Sequence, residues 1–445
     1  MGDVVPGGVV RRIYGNLGKL LAGKFGAGLI GLAYMVLAAR SLGPADYGVL
    51  ILVHTFAITV GGIIEFPGWQ AVVRYGTATQ ARGDAGAMVR LLRFVGGVEL
   101  SAGALAVGAT AMLAPILGPQ LGWSPTALAF SLPYSLAVLG SVRSTPAGYL
   151  QLAGRFDLLG IHNMIAPAAR LIGAALAVAA HAGLHGFLVA WLTAALLEWA
   201  SLWIMALLVA RRRLPGHRLL AGGARGILGE NPRIWRFMLV ANADVTLSEL
   251  SGRLTPLLIG HLLGPAAAGL YSVAQRATVV IAQPAQILGQ AAYAELARLV
   301  AAGSGGRRLR RAVLHCVAIA GAAALPVLFV LALFGRQVAT LIGGPAYAAA
   351  AGVMLWLTAA RAVMLAGPPA SSALIALGRP SLSVAANLAS NLGLLPLLLL
   401  LVSAAGIAGA GWHALIQASV GAGLLLWFVK RETTVGRGAE APAAI

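Results

Sequence analysis

The chain has 445 residues, 59% of them hydrophobic and 10% charged, with a formal net charge of +19. A mean hydropathy of +0.86 excludes a water-soluble globule of this size, and a single cysteine, Cys316, excludes an internal disulfide framework or a cysteine metal cluster. Net charge alone raises nucleic-acid binding, so the placement of the basic residues has to decide that point.

Apolar stretches long enough to cross the hydrocarbon core recur from Leu17 to Val429. The predicted helices cover 17–40, 48–72, 91–117, 125–148, 157–180, 186–210, 235–262, 266–291, 312–335, 348–376, 381–403 and 408–429. Arg11 and Arg12 precede the first in the manner of a secretory signal. The apolar stretch behind them runs to Ala39 without a small-residue cleavage site, so it reads as the first span.

Basic residues occupy alternate connections. With the N-terminus placed in the cytoplasm, 26 of them fall on inside segments, Arg143 and Arg155 among them, while the outside loops hold only Arg40 and Arg336. That asymmetry predicts a multi-pass protein of the inner (cytoplasmic) membrane with both termini cytoplasmic. Attraction to the anionic inner leaflet is sufficient use for the charge, and no nucleic-acid partner is expected.

The two halves of the chain repeat each other. Leu42-Gly43-Pro44 returns as Leu263-Gly264-Pro265 at an offset of 221, Gly154-Arg155 as Gly378-Arg379 at 224, and Gly183-Leu184-His185-Gly186 as Gly406-Ile407-Ala408-Gly409 at 223. Six helices per copy is an even number, so both copies enter the membrane in the same sense. The prediction is an all-α polytopic membrane protein of about twelve transmembrane helices in two parallel six-helix repeats. Its parts are an N-terminal bundle (1–210), a basic cytoplasmic linker (211–234), a C-terminal bundle (235–430) and a cytoplasmic tail (431–445).

Charges inside spans are expensive and mark partners or water-filled paths. On the seventh helix Asn242, Thr246, Glu249 and Arg253 fall within a sector of about 60° on an ideal wheel. On the eighth, Arg276, Gln283 and Gln290 stand seven apart with Gln286 on the flank. These stripes predict a polar path whose substrate contacts are Arg276, Arg253, Asn242, Gln283 and Gln290, with Arg170 and Arg361 behind them. Arg276 ranks first, because its fork of donors suits a phosphate.

Each candidate has a plainer reading. Glu249 and Arg253, four apart, can form a neutral bridge; Arg276 can pair with Glu249 across helices; Arg170 and Arg361 can pair with Glu99, Glu198 or Asp244. Glu65 is the repeat equivalent of Gln286 and stands before Pro67-Gly68, which should loosen its helix. Glu65 and Glu249 are the candidates for taking up a coupling proton or sodium ion, and Lys24 is a candidate partner for Glu65. No cofactor or metal is expected, since His181 and His185 lack a neighbouring carboxylate. The sequence holds no phosphate-cradling Gly-Lys-Ser/Thr loop and no nucleophile with an adjacent base.

Three further motifs stand in order along the chain: Leu42-Gly43-Pro44-Ala45-Asp46-Tyr47-Gly48, Gly148-Tyr149-Leu150-Gln151-Leu152-Ala153-Gly154-Arg155-Phe156, and Gly343-Gly344-Pro345-Ala346-Tyr347. Together they resemble the polysaccharide repeat-unit flippases of the multidrug/oligosaccharidyl-lipid/polysaccharide exporter superfamily, over essentially the whole chain. That resemblance implies a non-enzymatic transporter that moves undecaprenyl-diphosphate-linked oligosaccharides across the membrane by alternating access, for polysaccharide or lipopolysaccharide biosynthesis. It implies a V-shaped cavity lined by helices 1, 2, 7 and 8, a lipid-linked oligosaccharide as substrate, and other polysaccharide assembly proteins as partners. The competing readings are a multidrug-type small-molecule exporter and an integral membrane polysaccharide polymerase or ligase, the last disfavoured by short outside loops.

Overall fold

A computed structural model describes residues 6–66, 68–219, 222–224, 226–278 and 306–435, apart from the side chains of 6–22, 244, 245, 248 and 435. The described residues are helical throughout, with no strand. The chain divides into two compact units, Met1–Arg253 and Leu254–Ile445.

In the first unit α1 (Pro6–Ile64) is two helices joined at Gly43, followed by α2 (Trp69–Ala81) and α3 (Ala85–Leu117). The segment predicted as one helix over 125–148 is instead broken. It runs through α4 (Pro125–Ala129), α5 (Ser131–Tyr134) and a 3-10 stretch (Ser135–Gly140), then restarts as α6 (Ser144–Leu152). Two long spans, α7 (Phe156–Ala179) and α8 (Gly183–Arg213), a short α9 (Ile227–Glu230) and α10 (Ile234–Leu263) follow.

The second unit, which begins within α10, comprises α11 (Pro265–Ala277), α12 (Gly306–Gly343), α13 (Ala350–Met364), α14 (Gly367–Ala376), α15 (Pro380–Asn391) and α16 (Leu395–Val435). α16 merges two helices across Gly406. Among the described residues, seven helical stretches are long and apolar enough to cross a membrane, and two of these, Gly23–Ile64 and Pro380–Thr434, each join two of the predicted spans. Their outer faces carry Met112, Leu105 and Leu176 at 75%, 65% and 65% exposure, a coat suited to lipid and not to water.

Local chemistry makes the repeat visible in the backbone. At Leu42-Gly43-Pro44 and Leu263-Gly264-Pro265 the proline disfavours a helical residue before it, and the glycine takes φ 71° and 85° with extended ψ of 176° and 170°. Gly154 and Gly378 cap α6 and α14 at φ 69° and 74°. Behind them, Arg155 N–H bonds the Leu150 carbonyl at 2.9 Å and Arg379 N–H bonds that of Leu374 at 2.8 Å, the same helix-ending motif in both halves. Gly183 and Gly406, the third matched pair, also have positive φ.

The basic linker is docked on the first unit. Arg90 pairs with Glu230 at 2.7 Å, and Arg93 donates to the backbone carbonyls of Arg218, Leu219 and Gly223.

Candidate functional site

Within the first unit, α1, α2, the broken segment before α6, α7, α8 and the N-terminal part of α10 enclose a cavity of about 550 Å³. Its wall carries three cations, Lys24, Arg143 and Arg253, and two carboxylates, Glu65 and Glu249, with Asn163, Asn242, Thr246, Ser141, Ser144 and Gln151 between them.

The polar face predicted for the seventh helix is the α10 wall. α1 stops at Ile64, so its last carbonyls lack intrahelical partners, and Thr246 Oγ1 donates to the Gly62 carbonyl at 3.3 Å. One turn deeper, Arg253 Nη1 donates to the Ile58 carbonyl at 2.9 Å, placing a cation where the α1 carbonyls point. A Cβ on Gly62 would lie 1.4 Å from Arg253 Nη1, so a larger residue there would displace the guanidinium from this position. Arg253 also pairs with Glu249, the bridge that the four-residue spacing allows, and Thr246 donates to Asn242 Oδ1 at 3.1 Å.

Opposite α10 stands the break before α6. Helix N-termini leave N–H groups unsatisfied, and non-helical backbone at membrane depth is tolerated only where those groups find partners. Here Glu99 of α3, with 0% exposure, accepts the N–H groups of Ser144 and Thr145, the latter at 2.7 Å. Ser144 Oγ then donates to Glu65 Oε1 at 3.4 Å, which connects the buried carboxylate to the cavity wall.

Arg143 occupies the break itself. It pairs with Glu198 of α8 at 2.6 Å and donates to His162 Nε2 at 3.0 Å. Because arginine only donates, Nε2 accepts and the ring proton sits on Nδ1, 3.2 Å from Ser201 Oγ. Counting Arg143 as an inside-loop charge is therefore corrected: it is a cavity residue. Arg143 and His162 line the cavity without having been singled out in the sequence, and Glu99 and Glu198, expected as partners for Arg170 or Arg361, instead serve the Ser144 and Thr145 N–H groups and Arg143. The signal for Arg143 was the polar run Ser141-Val142-Arg143-Ser144-Thr145-Pro146 inside a supposed span.

Other candidates fall elsewhere. Lys24 lines the cavity with Glu65, yet the two form no ion pair among the described contacts. Among the described contacts Arg170 forms no ion pair with Glu99 or Glu198. It donates to Tyr34 Oη at 3.4 Å and His54 Nε2 at 3.1 Å and lies 5.8 Å from the ring centres of Tyr34 and Trp191. Glu249 is engaged by Arg253. Arg276, on α11, and Arg361, on α13, belong to the second unit, where those two helices pack together. Gln283, Gln286 and Gln290, and the side chain of Asp244, lie outside the described residues.

The profile of a family described as polysaccharide biosynthesis protein matches residues 36–351. An inner membrane protein of Escherichia coli K12, YghQ, is 28% identical over 295 residues, which cover 66% of this chain and 82% of that protein. Among solved structures, an inward-facing multidrug resistance transporter of the MATE family, in the MOP superfamily, aligns with a TM-score of 0.72 at 16% identity, over 93% of this chain and 96% of that one. The lipid II flippase MurJ in an inward closed conformation aligns with a TM-score of 0.70 at 13% identity, over 93% and 88%. At such identities the likeness establishes the fold alone.

Proposed function

Because the chain belongs to the polysaccharide biosynthesis protein family, we propose that it is a flippase, carrying undecaprenyl-diphosphate-linked oligosaccharide repeat units across the cell inner membrane by alternating access. The observation that carries this reading is the cavity: about 550 Å³ with three cations and two carboxylates on its wall, inside a bundle whose outer face is apolar. Charge of that kind in a membrane is costly unless it is paired, as Arg143 and Arg253 are, or shares the space with water or a ligand, which is what Lys24 and Glu65 call for.

Arg253 and Asn242 are positioned to meet a diphosphate, and Lys24, which has no ion pair among the described contacts, adds a third contact. Arg276 is proposed as a further headgroup contact from the second unit. Gln283, Gln290 and Arg361 are proposed as weaker ones. Arg170, clasped by Tyr34, His54 and Trp191, is better suited to holding the bundle together. Glu65 and Glu249 are the proposed carriers of a coupling proton or sodium ion. No enzymatic step is required.

The test is a leaflet-accessibility assay in proteoliposomes loaded with a diphosphate-linked polyprenyl oligosaccharide. Protein-dependent exposure of the sugar at the opposite leaflet, abolished by Arg253→Gln and by Arg276→Ala with insertion intact, is expected. Equal exposure in protein-free vesicles overturns the flippase reading, and protein-dependent efflux of a small organic cation in its place supports a multidrug-type exporter.

A further inference from the structure

A second cavity in the first unit, of about 260 Å³, lies between α3, α6 and α8 beneath the docked linker. Its wall is apolar, formed by Leu92, Gly97, Leu100, Trp203 and Leu207. It opens sideways: Gly97 is exposed, Leu100 is 41% exposed, and a Cβ built on Gly97 meets nothing within 4 Å. In a membrane-spanning bundle, that opening faces lipid.

One end of this groove is strongly basic. Arg93 lines it, its guanidinium held by the three linker carbonyls described above and by no carboxylate among the described residues, so its charge is oriented but not neutralised. Ala210 also lines the groove, and Arg211, Arg212 and Arg213 follow it, exposed, at the end of α8. Arg218 is likewise exposed on the linker. An apolar slot open to the bilayer with a cationic rim at one end matches an amphiphile with a hydrocarbon chain and an anionic head.

We infer that this groove binds an anionic glycerophospholipid of the inner leaflet, one acyl chain lying along Gly97 and Leu100 and the phosphate against Arg93 and the arginines that follow Ala210. Charge complementarity selects this occupant over a zwitterionic lipid, because each uncompensated arginine near the headgroup favours the anion. The site is separate from the cavity assigned to transport, and the bound lipid would tie the linker to the first unit.

Native mass spectrometry of the purified full chain, titrated with phosphatidylglycerol or phosphatidylcholine, tests this. The wild type should retain phosphatidylglycerol about fivefold better per engaged arginine. Gly97→Leu, which fills open space and leaves the linker contacts alone, should remove that retained lipid while thermal unfolding is unchanged. Arg93→Gln should lower the preference between the two lipids about fivefold, the share of one arginine. Equal retention of both lipids by the wild type, undiminished phosphatidylglycerol on Gly97→Leu, or its displacement by millimolar inorganic phosphate would each overturn the inference. None of these readouts depends on flipping activity.

Discussion

The fourth span of the first half and its counterpart in the second half break at the same place and solve the break differently. In the first unit Ser141 and Val142 N–H groups bond back to Val138 and Leu139; in the second, Leu365 and Ala366 bond back to Ala362 and Val363, an offset of 224 for every atom pair. The next helix then starts, and its two leading N–H groups need partners. In the first unit they belong to Ser144 and Thr145 and are taken by Glu99. At the same offset the second unit has Pro368 and Pro369, which have no N–H to satisfy, and α12 contains no acidic residue at all. The polar trio of the first half, Arg143, His162 and Glu198, corresponds in sequence to Gly367, Ala386 and Gly421 of the second at offsets of 224, 224 and 223. One frame therefore carries an ionic version and an apolar version, and the proposed transport site lies in the ionic one.

The largest effect expected from breaking this contrast is at Arg143. Arg143→Ala strands Glu198, which is 17% exposed, and should cost about 3 kcal/mol in thermal unfolding of the detergent-solubilised protein, whereas Gly367→Ala in the apolar copy should change stability by less than about 0.5 kcal/mol. Next comes Glu99→Ala, which leaves two N–H groups without acceptors and should cost about 2 kcal/mol. Adding Ser144→Pro and Thr145→Pro to it copies the second half and should recover part of that loss; a further fall would show that the two breaks are not equivalent. The smallest effect sharpens the likeness instead. Gly154→Ala and Gly378→Ala each place a Cβ on a left-handed cap and should cost about 1 kcal/mol apiece, equal to within about 0.5 kcal/mol.

How much of this was legible in the sequence follows from the range of the forces involved. Turns such as Leu42-Gly43-Pro44 and Gly154-Arg155 are fixed by the conformational limits of glycine and proline, so the repeat, the all-α class and most spans could be read from the residues themselves. The α10 stripe was legible too, since helical periodicity puts Asn242, Thr246, Glu249 and Arg253 on one face, and all four line the cavity. The break before α6 was not. A periodicity reading sees continuous apolar sequence over 125–148, and counting charges by their nearness to a span end assigned Arg143 to a loop. Its partners, His162 and Glu198, stand 19 and 55 residues away on other helices, and no local rule brings them together.

The proposed role of the charged cavity of the first unit is to receive the diphosphate headgroup. Equilibrium binding of an undecaprenyl-diphosphate-linked oligosaccharide to the purified protein addresses it directly, comparing wild type with Arg253→Gln, which removes the cation anchored on the end of α1. The expected affinity of the variant is at least about tenfold lower, the loss of one charge-assisted contact worth roughly 1.4 kcal/mol or more. Unchanged affinity in a folded Arg253→Gln protein would contradict it.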